Sequence, residues 1–573
     1  MFDVKKLEET IEGKVSTWTT DLNTASHDAS LFEVKPIAVV SPKNVKDVEK
    51  LVTYVTQENL KNNQSGQTTN QKIPKLTLTG RSAGTDMSGG PLTESIVVDF
   101  TKSFTKIGTI KEEVPRMLGG VEITGSAVTE PGVYYRDFDK ATLAVGGQIM
   151  PSYPASRELC TVGGMTANNS GGEKTLTYGK TEKYVRRLKM VCADAKEHEF
   201  RSLNMHELEQ AKKFPSFESE IYRKMHELIE KNYDLIQRAK PIVSKNSSGY
   251  YLWNVWDKEK GIFDLTKMIV GSQGTLGLIT EIEFALVKPK KYSHMVVVFL
   301  KNLDQLGPTA AHILKYKPES FESYDDQTFK VALKFLPALI KRMKGNIIGL
   351  GFQFIPEMMA VLTGGVPKMV LMAEFTADTD AEALHMAMEA HDSLKDMHEK
   401  SLVTKTARQS NKYWVIRRES FNMLRQHVHG LRTAPFIDDF VVPPMTLPEF
   451  LPKLYTILDQ YKNDITYTIA GHVGDGNFHI IPLMNLADPK SQTIIEDLSV
   501  KVYTLVHEFH GSITGEHNDG IIRTPFIKMQ YGEDMYKLFE EVKKIWDPQG
   551  IFNPGKKVGG TLDYAFKHIV KSS

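Results

Sequence analysis

The sequence predicts an α+β protein with more than one domain, and three observations support this prediction. The chain has 573 residues, of which 41% are hydrophobic, enough to fill two large cores. Short β-type runs alternate with helix-type patterns in both halves of the chain. The pattern breaks at "KPKKYSH", from Lys288 to His294, before a new strand "MVVVFL", so we expect a domain boundary near residue 290.

The chain divides into four predicted segments. Residues 1–30 form a helical N-terminal segment, and residues 31–290 form a first domain. Residues 291–510 form a second α+β domain with an antiparallel sheet, because strand signals such as "MVLMAEF" and "YTIAGH" alternate there with helical patterns such as "DAEALHMAMEAHDSL". Residues 511–573 form a C-terminal segment that completes the first domain and the functional site.

Composition excludes several classes of function. The chain carries 71 basic and 70 acidic residues, so no net field recruits nucleic acid or an anionic membrane. Two cysteines, Cys160 and Cys192, are too few for a disulfide framework or for an iron–sulfur cluster held by this chain, and we expect both to be buried thiols. The N-terminal "MFDVKKLEETIEG" resembles neither a signal peptide nor a transmembrane segment. We therefore expect a cytoplasmic protein, with peripheral contact to the inner face of the membrane left open.

The first domain begins with a strand, a turn and an amphipathic helix. In "KPIAVVSPKNVKDVEKLVTYVTQEN", Val45, Val48, Leu51 and Val55 follow a Ser-Pro start signal at helical spacing. The polar "NNQSGQTTNQK" that follows is predicted to be a surface loop. After it, the strand "KLTLTG" runs into a glycine loop, "GRSAGTDMSGG", and a second strand, "SIVVDF", leaves that loop.

This first glycine loop, Gly80–Gly90, suits the binding of phosphate groups. Its four glycines let backbone N–H groups approach phosphate oxygens, and its hydroxyl side chains add donors. It matches neither the P-loop nor the Gly-x-Gly-x-x-Gly pattern, and a plain tight turn is the alternative interpretation. Two more loops rich in small residues, "CTVGGMTANNSGGEKTLTYGK" and "VGSQGTLGLIT", lie in the same domain. Three such loops suggest a long polar cofactor that is bound along its length.

On these loops, the first 290 residues resemble the FAD-binding domain of the vanillyl-alcohol oxidase superfamily, of the p-cresol methylhydroxylase (PCMH) type. The resemblance implies an α+β fold in which the second domain is a cap. It implies that the FAD diphosphate is held by Arg81, Ser82, Gly84, Thr85, Asp86 and Ser88. It implies further contacts along the flavin from Pro154, Gly163, Gly164, Thr166, Asn168, Ser170 and Gly171, with Ile279 near the adenine end. Some members attach FAD through a histidine near the first loop; none lies between Gly80 and Gly90, so we expect non-covalent FAD.

The second half of the chain contains a candidate metal site. "GHVGDGNFH" places His472 and His479 seven positions apart around glycines, and "GEHNDG" adds Glu516 beside His517. Two histidines and one carboxylate with an open position suit Zn, Mn or Fe acting as a Lewis acid. A single histidine would more often be an ordinary core or surface residue, but the combination of two glycine-framed motifs favours a metal site.

These motifs, together with "DPQGIFNPGK", are similar to the C-terminal half of FAD-dependent D-2-hydroxyacid dehydrogenases. The resemblance implies that His472, His479 and Glu516 bind a divalent metal and that His517 is the catalytic base. It also implies that Arg417, after "YWVI", binds the substrate carboxylate, because a guanidinium pairs with a carboxylate through two hydrogen bonds. Asn477, between the two histidines, is expected to orient a ligand or the substrate.

The substrate predicted from the resemblance is D-lactate, with D-2-hydroxyglutarate or glycolate as alternatives. Hydroxyglutarate dehydrogenases have a lysine just before the segment that matches "DDFVVP", where this chain has Phe436 and Ile437. Arg432 is the residue that could replace that lysine. The motifs also resemble the flavin part of larger dehydrogenases with iron–sulfur clusters, so we expect a separate electron acceptor: an iron–sulfur subunit, a quinone, a soluble carrier or oxygen. A homodimer is left open.

Two other readings remain. Alkyl-glycerone-phosphate synthases share the FAD fold, but their run of adjacent histidines is absent from this sequence. The second alternative is a metallohydrolase or a metal-stabilised binding protein in which the glycine loops are only turns. That alternative predicts a colourless protein, whereas a flavoenzyme is yellow.

Overall fold

A computed structural model describes residues 3–69, 75–334, 365–397, 400–427 and 430–570, and the elements given below are those of these residues. The N-terminal part contains a small sheet of four strands in the order β1-β2-β4-β3. Both β2 and β3 pair in parallel with β4, and β1 pairs antiparallel with β2. The strands are β1 (Lys14–Ser16), β2 (Ala38–Ser41), β3 (Leu78–Arg81) and β4 (Ile96–Asp99).

The helix Val45–Thr69 covers this sheet and is longer than the sequence indicates. Its apolar face, with Val48, Leu51 and Val55, is fully buried against the strands, as the helical spacing predicts. The predicted surface loop after it was wrong over residues 62–69, which continue the helix. No proline interrupts this polar stretch, so the helical hydrogen bonds continue beyond the part that packs on the sheet.

A second sheet follows, with seven described strands in the order β5-β6-β11-β7-β8-β10-β9 and antiparallel pairing throughout. Its core includes the buried face of the helix Phe217–Lys231 and also Phe539 and Trp546 of the C-terminal helix Ile527–Trp546. The end of the chain therefore packs into a core built mainly by its first half. The strands are β5 (Ile107–Leu118), β6 (Val121–Thr129), β7 (Val185–Val191), β8 (Glu197–Asn204), β9 (Trp256–Asp257), β10 (Ile262–Asp264) and β11 (Leu278–Leu286).

The part after residue 290 contains a third sheet, antiparallel as predicted, in the order β15-β12-β14-β13-β19-β20-β17, and a small sheet in the order β16-β21-β18. Along β12, Val296 and Val298 face one core while Val297 and Phe299 face another, so helices cover both sides of the sheet. The strands are β12 (Tyr292–Leu300), β13 (Ser320–Asp325), β14 (Met369–Ala377), β15 (Lys400–Val403), β16 (Arg432–Thr433), β17 (Phe440–Val441), β18 (Ile465–Thr466), β19 (Ile469–His472), β20 (Asn477–Ile480) and β21 (Leu483–Met484).

The remaining helices connect and cover these sheets. Those of the second half are Leu306–Leu314, Asp326–Lys334, Asp380–Ser393, Ala407–His427, Leu447–Asp459, Ser491–Glu508, Gly520–Arg523 and Leu562–Lys567. Those of the first half are Val4–Thr10, Thr19–Ala25, Tyr135–Ala144, Val162–Asn168, Thr175–Tyr178, Met205–Ala211, Tyr233–Ala239 and Thr266–Ile269. Single 3-10 turns are Thr181–Lys183, Leu252–Asn254, Leu303–Gln305, Lys395–Met397, Pro444–Thr446, Val473–Asp475 and Thr524–Phe526.

Two simpler predictions can be compared directly with this structure. Cys160 and Cys192 are free, buried thiols, as predicted. Among the helices that the structure describes, none combines the length and the apolar composition needed to span a bilayer.

Candidate active site

A cavity of about 370 Å³ lies where the three small-residue loops meet the strands β13, β19 and β20. Loop residues form one wall, and residues of the third sheet and of the segment around Glu516 form the other. The cavity size is in the range of small-molecule sites. Of the predicted site residues, those that line it are Arg81, Ser82, Gly84, Thr85, Asp86, Pro154, Gly163, Gly164, Asn168, Ser170, Gly171, Ile279, Arg417, His472, His479, Glu516 and His517.

A chain of hydrogen bonds joins the three loops. The amide of Asn168 donates to Oδ1 of Asp86 at 2.7 Å, and Gln273 donates to Oδ1 of Asn168 at 3.2 Å. Oδ2 of Asp86 accepts from Ser88 and from the N–H of Gly90. Both oxygens of Asp86 thus accept from protein groups, one within its own loop and one from Asn168, so Asp86 shapes the first glycine loop and links it to the second.

Ser88 and Thr166 lie outside the cavity lining. Ser88 is fully buried, and its carbonyl accepts the N–H of Ile521. The Thr166 hydroxyl donates to the carbonyl of Val162 inside its own helix, and the Thr166 carbonyl accepts from Gly271. Both residues hold loops together, and neither is placed to contact a cofactor through its side chain.

The loop wall fits an FAD diphosphate and flavin. Gly84 has a φ of 69°, so its backbone adopts a left-handed conformation that side chains disfavour. A Cβ added at Gly164 would meet only Thr161 and Ser82, at 3.4 and 3.9 Å, which leaves the backbone open toward the cavity. Arg81 supplies a cation at this wall, and its guanidinium is oriented by the carbonyl of His27 at 2.6 Å.

Two of the predicted metal ligands, His472 and His479, both lie next to the third, Glu516. Nε2 of His472 and Nε2 of His479 lie 3.3 and 3.4 Å from Oε1 of Glu516. Ligands bound to an ion at about 2.1 Å in tetrahedral or octahedral geometry are roughly 3.0–3.4 Å apart, so each histidine lies at a ligand-to-ligand distance from Glu516. Nε2 of His517 lies 3.9 Å from the same oxygen, beside the predicted ligand set.

Buried carboxylates orient the opposite nitrogen of each ring. Nδ1 of His472 lies 2.5 Å from Glu322, and both His479 and His517 direct Nδ1 at Asp438, at 3.2 and 2.6 Å. This carboxylate–histidine arrangement fixes the tautomer so that Nε2 faces the cavity, as in metal sites whose outer partners orient the ligands.

Asp439 is near the cluster but is not a good ligand. One ligand atom each of Asp439, His479, Glu516 and His517 lies within 4.8 Å of the others. However, Oδ2 of Asp439 already accepts from the hydroxyl of Thr514 and from the N–H groups of Glu516 and His517, at 2.6 to 2.9 Å. The role that its geometry supports is to hold the backbone that carries Glu516 and His517.

Lys245, which belongs to none of the predicted motifs, lies next to the predicted metal ligand Glu516. Its ammonium group is fully buried and contacts Oε2 of Glu516 at 3.2 Å and Asp475 at 3.5 Å. Burial alone would lower the pKa of Lys245, but the charges of Glu516, Asp475 and Glu322 outweigh it and raise that pKa. Because Lys245 occupies Oε2, the oxygen of Glu516 that faces the histidines is Oε1.

The same charges act on the titration of the histidines. Burial disfavours the charged form of His479, but hydrogen bonds to Asp438 and Glu516 raise its pKa to about 10. Burial likewise opposes the charge on His517, but Asp439 and Asp438 together raise the pKa of this ring. Burial would raise the pKa of Glu516, yet Lys245 and His472 hold it well below its ordinary value. Glu516 is thus held in its ionised form, and the His517 ring binds a proton more tightly than an ordinary histidine does.

The remaining predicted residues occupy different environments. Nε of Arg417 lies 3.3 Å from Glu322, at the cavity wall. Asn477 is fully buried away from the cavity, where it donates to Asp439 and accepts from Lys245. Its geometry therefore suits orientation of the ligand-bearing backbone. Arg432 is exposed on β16 and does not line the cavity, while Phe436 and Ile437 are fully buried.

Two family models and several known proteins match this chain. Residues 36–201 match the family model described as FAD binding domain, and residues 289–557 match that described as FAD linked oxidases, C-terminal domain. The chain is 25% identical to D-2-hydroxyglutarate dehydrogenase of Pseudomonas putida over 95% of this chain and 50% of that protein. It is also 25% identical to D-lactate dehydrogenase of Anaerostipes hadrus, over 84% of each chain.

The chain spans about half the length of the D-2-hydroxyglutarate dehydrogenases of Pseudomonas putida and Escherichia coli. Among solved structures, 4-ethylphenol oxidase from Gulosibacter chungangensis superposes with a TM-score of 0.63. That alignment covers 97% of this chain and 96% of the oxidase at 15% identity, which shows a shared fold. The predicted α+β fold with a PCMH-type FAD-binding domain is thus confirmed.

Proposed function

Because the chain belongs to the FAD-linked oxidases and dehydrogenases of the vanillyl-alcohol oxidase superfamily, we propose that it oxidises a D-2-hydroxy acid to the 2-oxo acid. D-lactate is the favoured substrate, and D-2-hydroxyglutarate and glycolate are the alternatives. One observation carries the proposal: the ligand set His472, His479 and Glu516 opens into the same cavity as the FAD loops.

Two groups complete the site in this proposal. The loops Gly80–Gly90, 160–171 and 270–279 would hold FAD without a covalent bond. His472, His479 and Glu516 would hold a divalent metal, which is Zn or else Mn or Fe. When bound, FAD supplies a hydride acceptor and the metal a Lewis acid that acidifies a hydroxyl group.

The protein's own residues bind the substrate and move one proton. Arg417, held at the wall by Glu322, pairs with the substrate carboxylate and fixes its orientation. His517 removes the hydroxyl proton at Nε2, because Nδ1 is already bound to Asp438 at 2.6 Å. The charge of Asp438 stabilises the resulting imidazolium. Only 21% of the His517 side chain is exposed, so solvent has limited access to the base.

The residues just before "DDFVVP" support a substrate with a single carboxylate group. Phe436 and Ile437 are fully buried in an apolar core, so neither this position nor the exposed Arg432 offers a cation to the cavity. A separate electron acceptor and a cytoplasmic location complete the proposal.

The test is anaerobic mixing of purified, metal-replete protein with D-lactate, L-lactate and D-2-hydroxyglutarate, each followed by flavin absorbance. We expect bleaching by a D-acid and none by L-lactate. A colourless protein would contradict the flavoenzyme, and a yellow protein that no 2-hydroxy acid bleaches would contradict the substrate class.

A further inference from the structure

The cavity has an apolar surface beside the candidate metal ligands. Ala470 is paired in register with His479 across β19 and β20, and it lies two positions before His472 on the same strand face. Ile481 follows His479 by two positions, and both Ala470 and Ile481 line the cavity. A substrate bound at the histidines therefore has alkyl surface directly next to it.

A helix supplies the facing wall. Trp414, Arg417 and Arg418 are three and four positions apart on the helix Ala407–His427, so they share one face, and all three line the cavity. The guanidinium of Arg418 lies 4.7 Å from the centre of the Trp414 ring. On its other side, Arg418 forms an ion pair with Glu173 at 2.5 Å. Glu173 comes from the flavin side of the cavity, directly after the loop residues 170–172.

The cations at this wall are already paired. Three arginines are among the described residues that line the cavity, and Arg81 belongs to the glycine loop at the other end. Arg417 faces Glu322 through Nε, which a bidentate pair of its two terminal nitrogens with the first substrate carboxylate does not need, whereas Arg418 gives a terminal nitrogen to Glu173, whose side chain is 17% exposed. A second substrate carboxylate at Arg418 would therefore either lie next to the Glu173 carboxylate or have to displace it. Like charges in a partly buried site disfavour this strongly.

We propose that Trp414, Ala470 and Ile481 form a subsite for an uncharged alkyl side chain of the substrate, and that Glu173 determines specificity by occupying Arg418. This inference rests on the proposed function and refines it: the substrate is a D-2-hydroxy monocarboxylic acid with a small alkyl group. It also predicts a single change that admits a dicarboxylate, because Glu173→Gln leaves Arg418 without its carboxylate partner.

The test compares D-lactate, D-2-hydroxybutyrate, D-2-hydroxy-4-methylpentanoate and D-2-hydroxyglutarate in anaerobic flavin reduction. For each acid the second-order rate constant is measured with wild-type protein, Glu173→Gln and the double variant Glu173→Gln/Arg418→Met. We expect at least one alkyl acid to react faster than D-2-hydroxyglutarate in the wild type. Glu173→Gln should raise the ratio of D-2-hydroxyglutarate to D-lactate by about tenfold, the effect of one hydrogen bond to a charged group, and the double variant should lose that gain.

Glu209→Gln is the matched control, because it removes a carboxylate from the exposed Lys212–Glu209 ion pair, outside the cavity lining. Faster reduction by D-2-hydroxyglutarate than by every alkyl acid in the wild type would overturn the subsite. An unchanged ratio in Glu173→Gln would overturn the role of Glu173. If no acid reduced the flavin, the proposed oxidation itself would fail, and this pattern is distinct from either of the others.

Discussion

Oε1 of Glu322 lies 2.5 Å from Nδ1 of His472, and the other oxygen of the same carboxylate lies 3.3 Å from Nε of Arg417. Glu322 is 1% exposed, on a strand next to the one that carries His472. One buried carboxylate thus orients both a predicted metal ligand and the predicted carboxylate-binding arginine. In the proposed function, it therefore sets the distance between the groups that bind the hydroxyl end and the carboxylate end of the 2-hydroxy acid.

Replacing Glu322 by Gln should therefore weaken both functions. The amide can still accept from His472, but its NH₂ group faces the guanidinium of Arg417. We expect metal affinity to fall about 10-fold, within the range for lost outer-sphere partners, and KM for the acid to rise. Metal titration and steady-state kinetics measure the two effects. Glu122→Gln, an exposed change on β6, is the control, and unchanged metal affinity in Glu322→Gln would contradict the argument.

Asp438 stabilises the protonated form of His517, so Asp438→Asn should change the pH profile as well as the rate. Loss of this charge lowers the pKa of His517, and the base is then neutral at lower pH. We expect the acid limb of kcat/KM to move to lower pH while kcat/KM falls about 10- to 100-fold at its maximum. A rate loss with the acid limb unmoved would show that Asp438 acts only on the fold.

Lys245→Met should destabilise the metal-free protein more than the metal-bound protein. The change leaves Glu516 and Asp475 as buried carboxylates without their cation, a loss of about 3–5 kcal/mol in free energy of unfolding. A bound dication offsets part of this loss because it neutralises Glu516. Lys557→Met is the control, since Lys557 is equally buried but pairs with Asp519. Urea unfolding with and without Zn²⁺ measures the free energy of unfolding of both variants. An equal effect of Zn²⁺ on the two variants would contradict a metal site at Glu516.

His198 should make stability depend on pH in the alkaline range. Burial opposes its charge, but hydrogen bonds to Asp194 and Glu218 raise the pKa of His198 to about 9. Since the folded-state pKa lies above the unfolded value, the stabilisation is fully present below about pH 6.5 and is lost as pH rises through about 9. The free energy of unfolding should therefore differ between wild type and His198→Gln more at pH 6 than at pH 10. A difference independent of pH would contradict this.

The prediction of the site came from short local motifs. These motifs are the glycine loops and the two segments that hold His472, His479, Glu516 and His517. The structure places all of them around one cavity, and their roles stay a prediction. The fold class could also be predicted, because periodicity shows strands and helices directly. The continuation of the helix Val45–Thr69 over residues 62–69 could not, because these residues are polar and lack the apolar spacing that marks a helix in a sequence.

The supporting residues could not be predicted in this way. Glu322 precedes His472 by 150 positions, and Lys245 precedes Glu516 by 271, so only the tertiary structure brings each pair together. A small signal existed for Asp438, since two adjacent aspartates precede an apolar run in "DDFVVP". Only the tertiary structure shows that Asp438 contacts the histidine rings and that Asp439 accepts from backbone N–H groups.

The most direct test of the account is the rate of flavin reduction by D-lactate in a single anaerobic turnover, measured for wild type, chelator-treated wild type and His517→Ala. We expect rapid bleaching in the metal-replete wild type and a loss of about 100-fold or more in His517→Ala, because a general base is removed. We also expect loss on chelation and recovery with added divalent metal. Equal bleaching rates in all three samples would contradict a metal-assisted oxidation with His517 as the base.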